Sequence, residues 1–172
     1  MNPPAPASTA GLADAPSPAR RILLLGLGND ILTDDAVGLH VVHELQRELG
    51  DRPSIDIRET TEMGLALLDY IVGYRAVVIV DSIQTGKAAP GVLYELDAAA
   101  LTQLTGRTPH FLGVSETLAL GRQLGLAMPE QVSILAIEVA DPFTLGTTLT
   151  PALQTALPGV VARIRAAVQS LL

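Results

Sequence analysis

Cysteine is absent from the 172 residues. That excludes disulfides, a thiol nucleophile, an iron–sulfur cluster and cysteine-ligated zinc. Aromatic residues make up only 3% and tryptophan is missing, so platforms for stacking nucleic-acid bases have little to be built from. Positive charge is scarce as well. Eleven basic residues stand against eighteen acidic ones, for a net charge of −7, and such a surface repels polyanions. No apolar run approaches the ~18 residues that cross a bilayer, and the opening residues lack the basic start and apolar stretch of a secretory signal. The expectation is a cytoplasmic protein with neither nucleic acid nor membrane as partner. What remains available is chemistry by carboxylates, histidines and hydroxyls, in a chain whose 48% hydrophobic residues suffice for the core of one domain.

Residues 1–20 carry five prolines and no periodic apolar pattern. They read as a flexible Pro/Ala-rich tail, with a single domain over 21–172. From there, short β-rich runs alternate with helical ones. Ile22 to Leu25 is a continuous apolar run closed by Gly26, as expected of a strand buried on both faces. Asp34 to Leu49 reads as a helix, with Val37, Val41, Leu45 and Leu49 on one stripe and Gly50 at its end. Ser54 to Glu59 alternates as a strand. Gly64 to Val72 is a short helix closed by Gly73. Ala76 to Val80 is a third strand ending at Asp81. Gly91 to Leu96 follows through a connection too short for a crossover helix, which predicts an antiparallel strand. A helix from Ser115, with that serine as N-cap, a strand from Gln131 to Val139 and a helix from Ala152 to Leu172 complete the chain. The pattern predicts an α/β fold: a single three-layer α/β/α sandwich around a mostly parallel, mixed five-stranded sheet.

In such sheets ligands collect at the carboxyl ends of the strands. Past the first strand lie Gly26-Leu27-Gly28-Asn29-Asp30 and then Asp34-Asp35. Past the second lie Glu59 and Glu62, past the third Asp81-Ser82, and ahead of the later helix Thr108-Pro109-His110. The two glycines suggest a dinucleotide loop, but the third glycine of that pattern falls on Ile31. A pair of aspartates in the first helical turn would also repel a pyrophosphate. One of Asp34 and Asp35 is free to cap the helix while the other faces the crevice. Asp35 and Glu59, brought together, need a divalent cation or a shared proton to offset their repulsion. With His110 as a neutral nitrogen donor they would suit Zn²⁺, Ni²⁺ or Mn²⁺. His40 and His43 read as helix surface. Asp81 reads as a turn cap or an orienting group, and Glu138 as a supporting one. No serine lies in a nucleophile-elbow context.

The run Ile22-Leu23-Leu24-Leu25-Gly26-Leu27-Gly28-Asn29 followed by Leu32-Thr33-Asp34-Asp35-Ala36-Val37-Gly38 resembles the opening of the NiFe-hydrogenase maturation proteases. The likeness continues through Gly64-Leu65-Ala66-Leu67-Leu68, Val78-Ile79-Val80-Asp81, Pro109-His110, Ile137-Glu138-Val139 and Leu149-Thr150-Pro151-Ala152-Leu153. These pieces come in the expected order over nearly everything after the tail.

The resemblance implies an aspartyl-type endopeptidase. It would remove the C-terminal extension from the precursor of a NiFe-hydrogenase large subunit after nickel insertion. It also implies metal contacts, and a part in cleavage, for Asp35, Glu59 and His110. The nickel would arrive with the substrate, zinc or cadmium being able to replace it in vitro, and no organic cofactor is needed. It would act as a monomer. Whether nickel activates the scissile bond or only docks the substrate is left open by the residues. One departure stands out. After the second strand the family usually shows Asp-Gly-Gly-Thr, whereas this chain has Glu59-Thr60-Thr61-Glu62, which makes Glu62 an alternative to Glu59. Two other readings fit the strand-end residues: a metal-dependent peptidase with another protein substrate, and a non-catalytic nickel-sensing module.

Overall fold

The computed structural model describes residues 21–97 and 114–172. The proposed tail and the Thr108-Pro109-His110 segment lie outside them.

Six consecutive apolar or glycine residues, Ile22–Leu27, form strand β1, buried throughout. Only an inner strand of a sheet covered on both faces has that environment. Strands β2 (Ile55–Thr60), β3 (Ala76–Ile83), β4 (Leu93–Asp97) and β5 (Gln131–Glu138) join it in the order β2-β1-β3-β5-β4. β1 runs parallel to β2 and β3, and β3 parallel to β5. β4 closes one edge antiparallel to β5. The sheet is therefore mixed and five-stranded, as the sequence pattern predicts.

Alternation along each strand sorts the side chains into two cores. Ile22, Leu24, Val78, Val80, Leu135 and Ile137 face helices α1 (Val37–Leu49) and α4 (Pro151–Gln169). Leu23, Leu25, Val77, Ile79, Ile83 and Ile134 face helices α2 (Leu68–Ile71) and α3 (Val114–Gln123). The two layers matter below, because a strand-end residue serves the layer that its parity selects.

Four expectations shift. The helix expected from Asp34 begins with a 3-10 turn, Asp34–Ala36, before α1. The one expected over Gly64–Val72 divides into a 3-10 turn, Gly64–Leu67, and α2. Ser115 lies inside α3, where its hydroxyl donates to Glu116 over 3.0 Å, so it is not the cap. Finally, β3 runs on to Ile83, because parallel pairing with β5 continues as far as Ile83 opposite Glu138. Asp81 is thus a strand residue and not the start of a turn.

Candidate carboxylate site

The two opening glycines serve close packing. Gly28, with φ +155°, lies against the backbone of Asp35, and a methyl group there would run into the Asp35 carbonyl oxygen. Gly38, near the start of α1, has no room for a side chain between the carbonyls of Leu27 and Val80. Together they let the acidic turn settle onto the ends of β1 and β3. The glycine spacing therefore belongs to the placement of Asp34 and Asp35.

Those neighbours have different environments. Asp34 is 0% exposed and lies inside the 3-10 turn, not at its cap position. Its carboxylate accepts from the amides of Ala140 and Asp141 (both 3.0 Å), and from the amide (2.7 Å) and hydroxyl (2.9 Å) of Thr150. It staples the segment after β5, and the residue that enters α4, to the end of β1. Thr33 strengthens the same junction through its hydroxyl on the Asp141 carbonyl and its amide on Thr144. Within that segment Asp141 accepts from Phe143 and Thr144. Bonds from the Thr144 hydroxyl, and from those two amides, hold the Asp141 carboxyl below the usual carboxylate range.

Asp35 turns toward β3 and accepts from the Ser82 hydroxyl at 2.8 Å. The Ser82 amide in turn donates to Asp81 at 2.7 Å. One residue thus bridges two carboxylates, and all three residues are buried. By strand parity Asp81 shares the α2/α3 side with Ile79 and Ile83, while Ser82 reaches Asp35 on the α1 side.

Glu59 makes a different contact. It follows Ile55 and Ile57, both packed against the α1/α4 core, on β2 at the opposite edge of the sheet from β4. Its carboxylate meets Nε2 of His43 on α1 at 2.6 Å, with the two side chains 48% and 60% exposed. Glu62, past the strand end, is exposed and helps to line a cleft of about 280 Å³ with Asp30, Glu59 and Tyr70. Burial, reinforced by His43 and opposed by Glu44, lowers the pKa of the neighbouring His40. Among the described residues no three His, Asp or Glu side chains gather closely enough to hold a metal ion. His110 lies outside that description.

The residue underweighted by sequence reasoning is Asp81. Its signal was the apolar run of β3 carrying an acid before the strand had ended, a buried charge that an interior strand does not hold without a purpose. Glu138 carries the same signal. It is 1% exposed and accepts from the amides of Thr85 (2.9 Å) and Gly86 (2.8 Å) and from the Thr85 hydroxyl (2.6 Å).

A sandwich of this topology, with buried acids gathered past its parallel strands, is the frame of an α/β enzyme whose site lies at the strand ends. A family model described as hydrogenase maturation protease matches residues 39–167. The hydrogenase 2 maturation protease of Escherichia coli K12 is 30% identical over 150 residues, spanning 84% of this chain and 91% of that protein. A hydrogenase expression/formation protein HupD from Rhizobium leguminosarum is 26% identical over 85% of this chain and 73% of its own. Among solved structures, the hydrogenase maturating endopeptidase HybD from Escherichia coli superposes with a TM-score of 0.72 at 28% identity, covering 87% of this chain and 93% of that one. The chain belongs to the hydrogenase maturation protease family, and its enzymatic class is peptidase.

Proposed function

We propose that this chain removes the C-terminal extension from the precursor of a NiFe-hydrogenase large subunit once nickel has been inserted, with the nickel carried in by the substrate. The family membership supplies the reaction class. The observation that carries the site is the Ser82 bridge between Asp35 and Asp81. Two carboxylates on one bridging residue form an oxygen-donor pair that a divalent cation would complete. Since this chain has no cysteine, soft ligands for nickel must come from the precursor.

His110 is the third member. It precedes by four residues in the chain Val114, which is buried in the core against α2 and α3. Glu59 is engaged by His43, and in this reading Asp81 takes the place that the resemblance gave to Glu59. The reaction is hydrolysis. Water adds to the scissile carbonyl carbon, the C–N bond breaks, and the departing amine takes a proton. In this reading a carboxylate of the Asp35/Asp81 pair accepts the proton of the attacking water. Nickel in the precursor acts as the recognition element, zinc or cadmium replacing it in vitro, and no organic cofactor takes part. No helix among the described residues is long and apolar enough to cross a membrane. In this reading the chain acts as a monomer and meets its precursor in the cytoplasm.

The test incubates nickel-loaded and nickel-free precursor with the wild type and with His110→Ala. The reading expects cleavage only of loaded precursor by the wild type. Equal cleavage of both precursors by both proteins contradicts it.

A further inference from the structure

A cleft of about 540 Å³ opens between the segments that leave β3 and β5. Gln84, Gly86, Ala88 and Pro90 form one wall, and Glu138 and Ala140 belong to the other. Its volume falls in the ~300–1,000 Å³ range of ligand sites.

Both walls are fixed from within. Glu138 grips Thr85 and Gly86 with the three bonds already described, and Gly86 takes the positive φ of +69° that this turn requires. The Gln84 amide donates to the Ala140 carbonyl at 2.7 Å. Ala140 in turn donates its own amide to Asp34, the neighbour of Asp35. A continuous chain of hydrogen bonds therefore runs from the cleft wall to the acidic turn. Gln84 is two residues beyond Ser82, so the cleft begins where the carboxylate pair ends.

The chemistry of the lining narrows the occupant. Of the lining residues only Glu138 is charged, and both its oxygens are engaged by Thr85 and Gly86. A phosphate would find no cation there, and a cationic side chain no available carboxylate. The rest of the surface is small: glycine, two alanines, proline, valine and a threonine whose hydroxyl is held by Glu138, with one carboxamide. Such a slot suits extended main chain bearing small, uncharged side chains. From this we propose that the cleft is the subsite for the precursor peptide next to the scissile bond, and that Glu138 is the positioning residue that holds its wall. The inference rests on the reading of this chain as a precursor-cleaving peptidase.

Ala88→Trp fills the cleft without touching Asp35, Ser82 or Asp81, while Lys87→Ala changes the same loop at an exposed position. The two variants are compared with the wild type for precursor cleavage, and for calorimetric binding of a synthetic peptide with the extension sequence. The proposal expects Ala88→Trp to lose roughly tenfold or more in kcat/KM, mostly through KM, and to release the peptide, with Lys87→Ala unchanged. Ala88→Leu replaces it if Ala88→Trp fails to fold. A folded cleft-filling variant that cleaves with unaltered kcat/KM overturns the proposal, as does a peptide bound equally by wild type and variant. A wild type that leaves the precursor uncut, yet binds the peptide in a manner Ala88→Trp abolishes, supports the cleft and overturns the proposed function alone.

Discussion

Two acidic places at the same end of one sheet have opposite characters. At the ends of β1 and β3, Asp34, Asp35 and Asp81 are buried and tied into a network through Ser82, Ala140, Asp141 and Thr150. At the end of the edge strand β2, Glu59 and Glu62 stand at the surface, and Glu59 makes a half-exposed pair with His43. Both places carry acids just where a sequence reading looks for them. Strand order separates them, since an inner strand must bury what it carries and an edge strand need not. A buried charge is costly without hydrogen bonds, so its retention points to structural necessity or to chemistry. An exposed pair contributes little and signals neither.

The sharpest way to break the comparison is to remove the staple. Asp34→Ala leaves the amides of Ala140, Asp141 and Thr150 without their acceptor, and should cost about 3 kcal/mol or more of unfolding free energy in urea titration. A cost no larger than that of a surface substitution would mean the staple does not hold the junction. Next in size, Ser82→Ala removes the bridge. It should lower stability by about 1 kcal/mol while reducing kcat for precursor cleavage by more than that loss of stability explains. An unchanged kcat would show that the bridge orients nothing. On the edge strand, His43→Ala should change unfolding free energy by less than about 1 kcal/mol, and a larger loss would erase the contrast.

The smallest effect concerns pH. The pKa of His40 is lowered in the fold, so below its unfolded value near 6.5 the unfolded chain binds the proton first. Stability attributable to His40 is then fully present above that pH. It falls as pH drops toward the lowered folded pKa. His40→Gln should flatten the slope of stability against pH below about 6.5, read by thermal melts across that range. An identical slope would refute the assignment.

Much of this was legible in the residues. The apolar run of β1 and the four-residue stripe Val37-Val41-Leu45-Leu49 needed only periodicity, and the short link after Gly86 announced the antiparallel strand. Asp35 was legible because the glycines before it leave an acid no place but the strand ends. Alternation along β2 turns Glu59 toward α1, where it meets His43, a pairing that the local sequence does not disclose. Asp81 read as a turn cap or an orienting group because the end of β3 was set by its apolar residues, whereas pairing with β5 extends it to Ile83. Nor does local sequence disclose that Asp34 holds residues more than a hundred positions away.

The central proposal is that Asp81, in place of Glu59, joins Asp35 in the working site. Cleavage of nickel-loaded precursor by Asp81→Asn and by Glu59→Gln, each first shown to be folded, compares the two directly. Asp81→Asn should lose roughly a hundredfold or more, with Glu59→Gln within about twofold of wild type. An active Asp81→Asn beside an inactive Glu59→Gln would contradict the account.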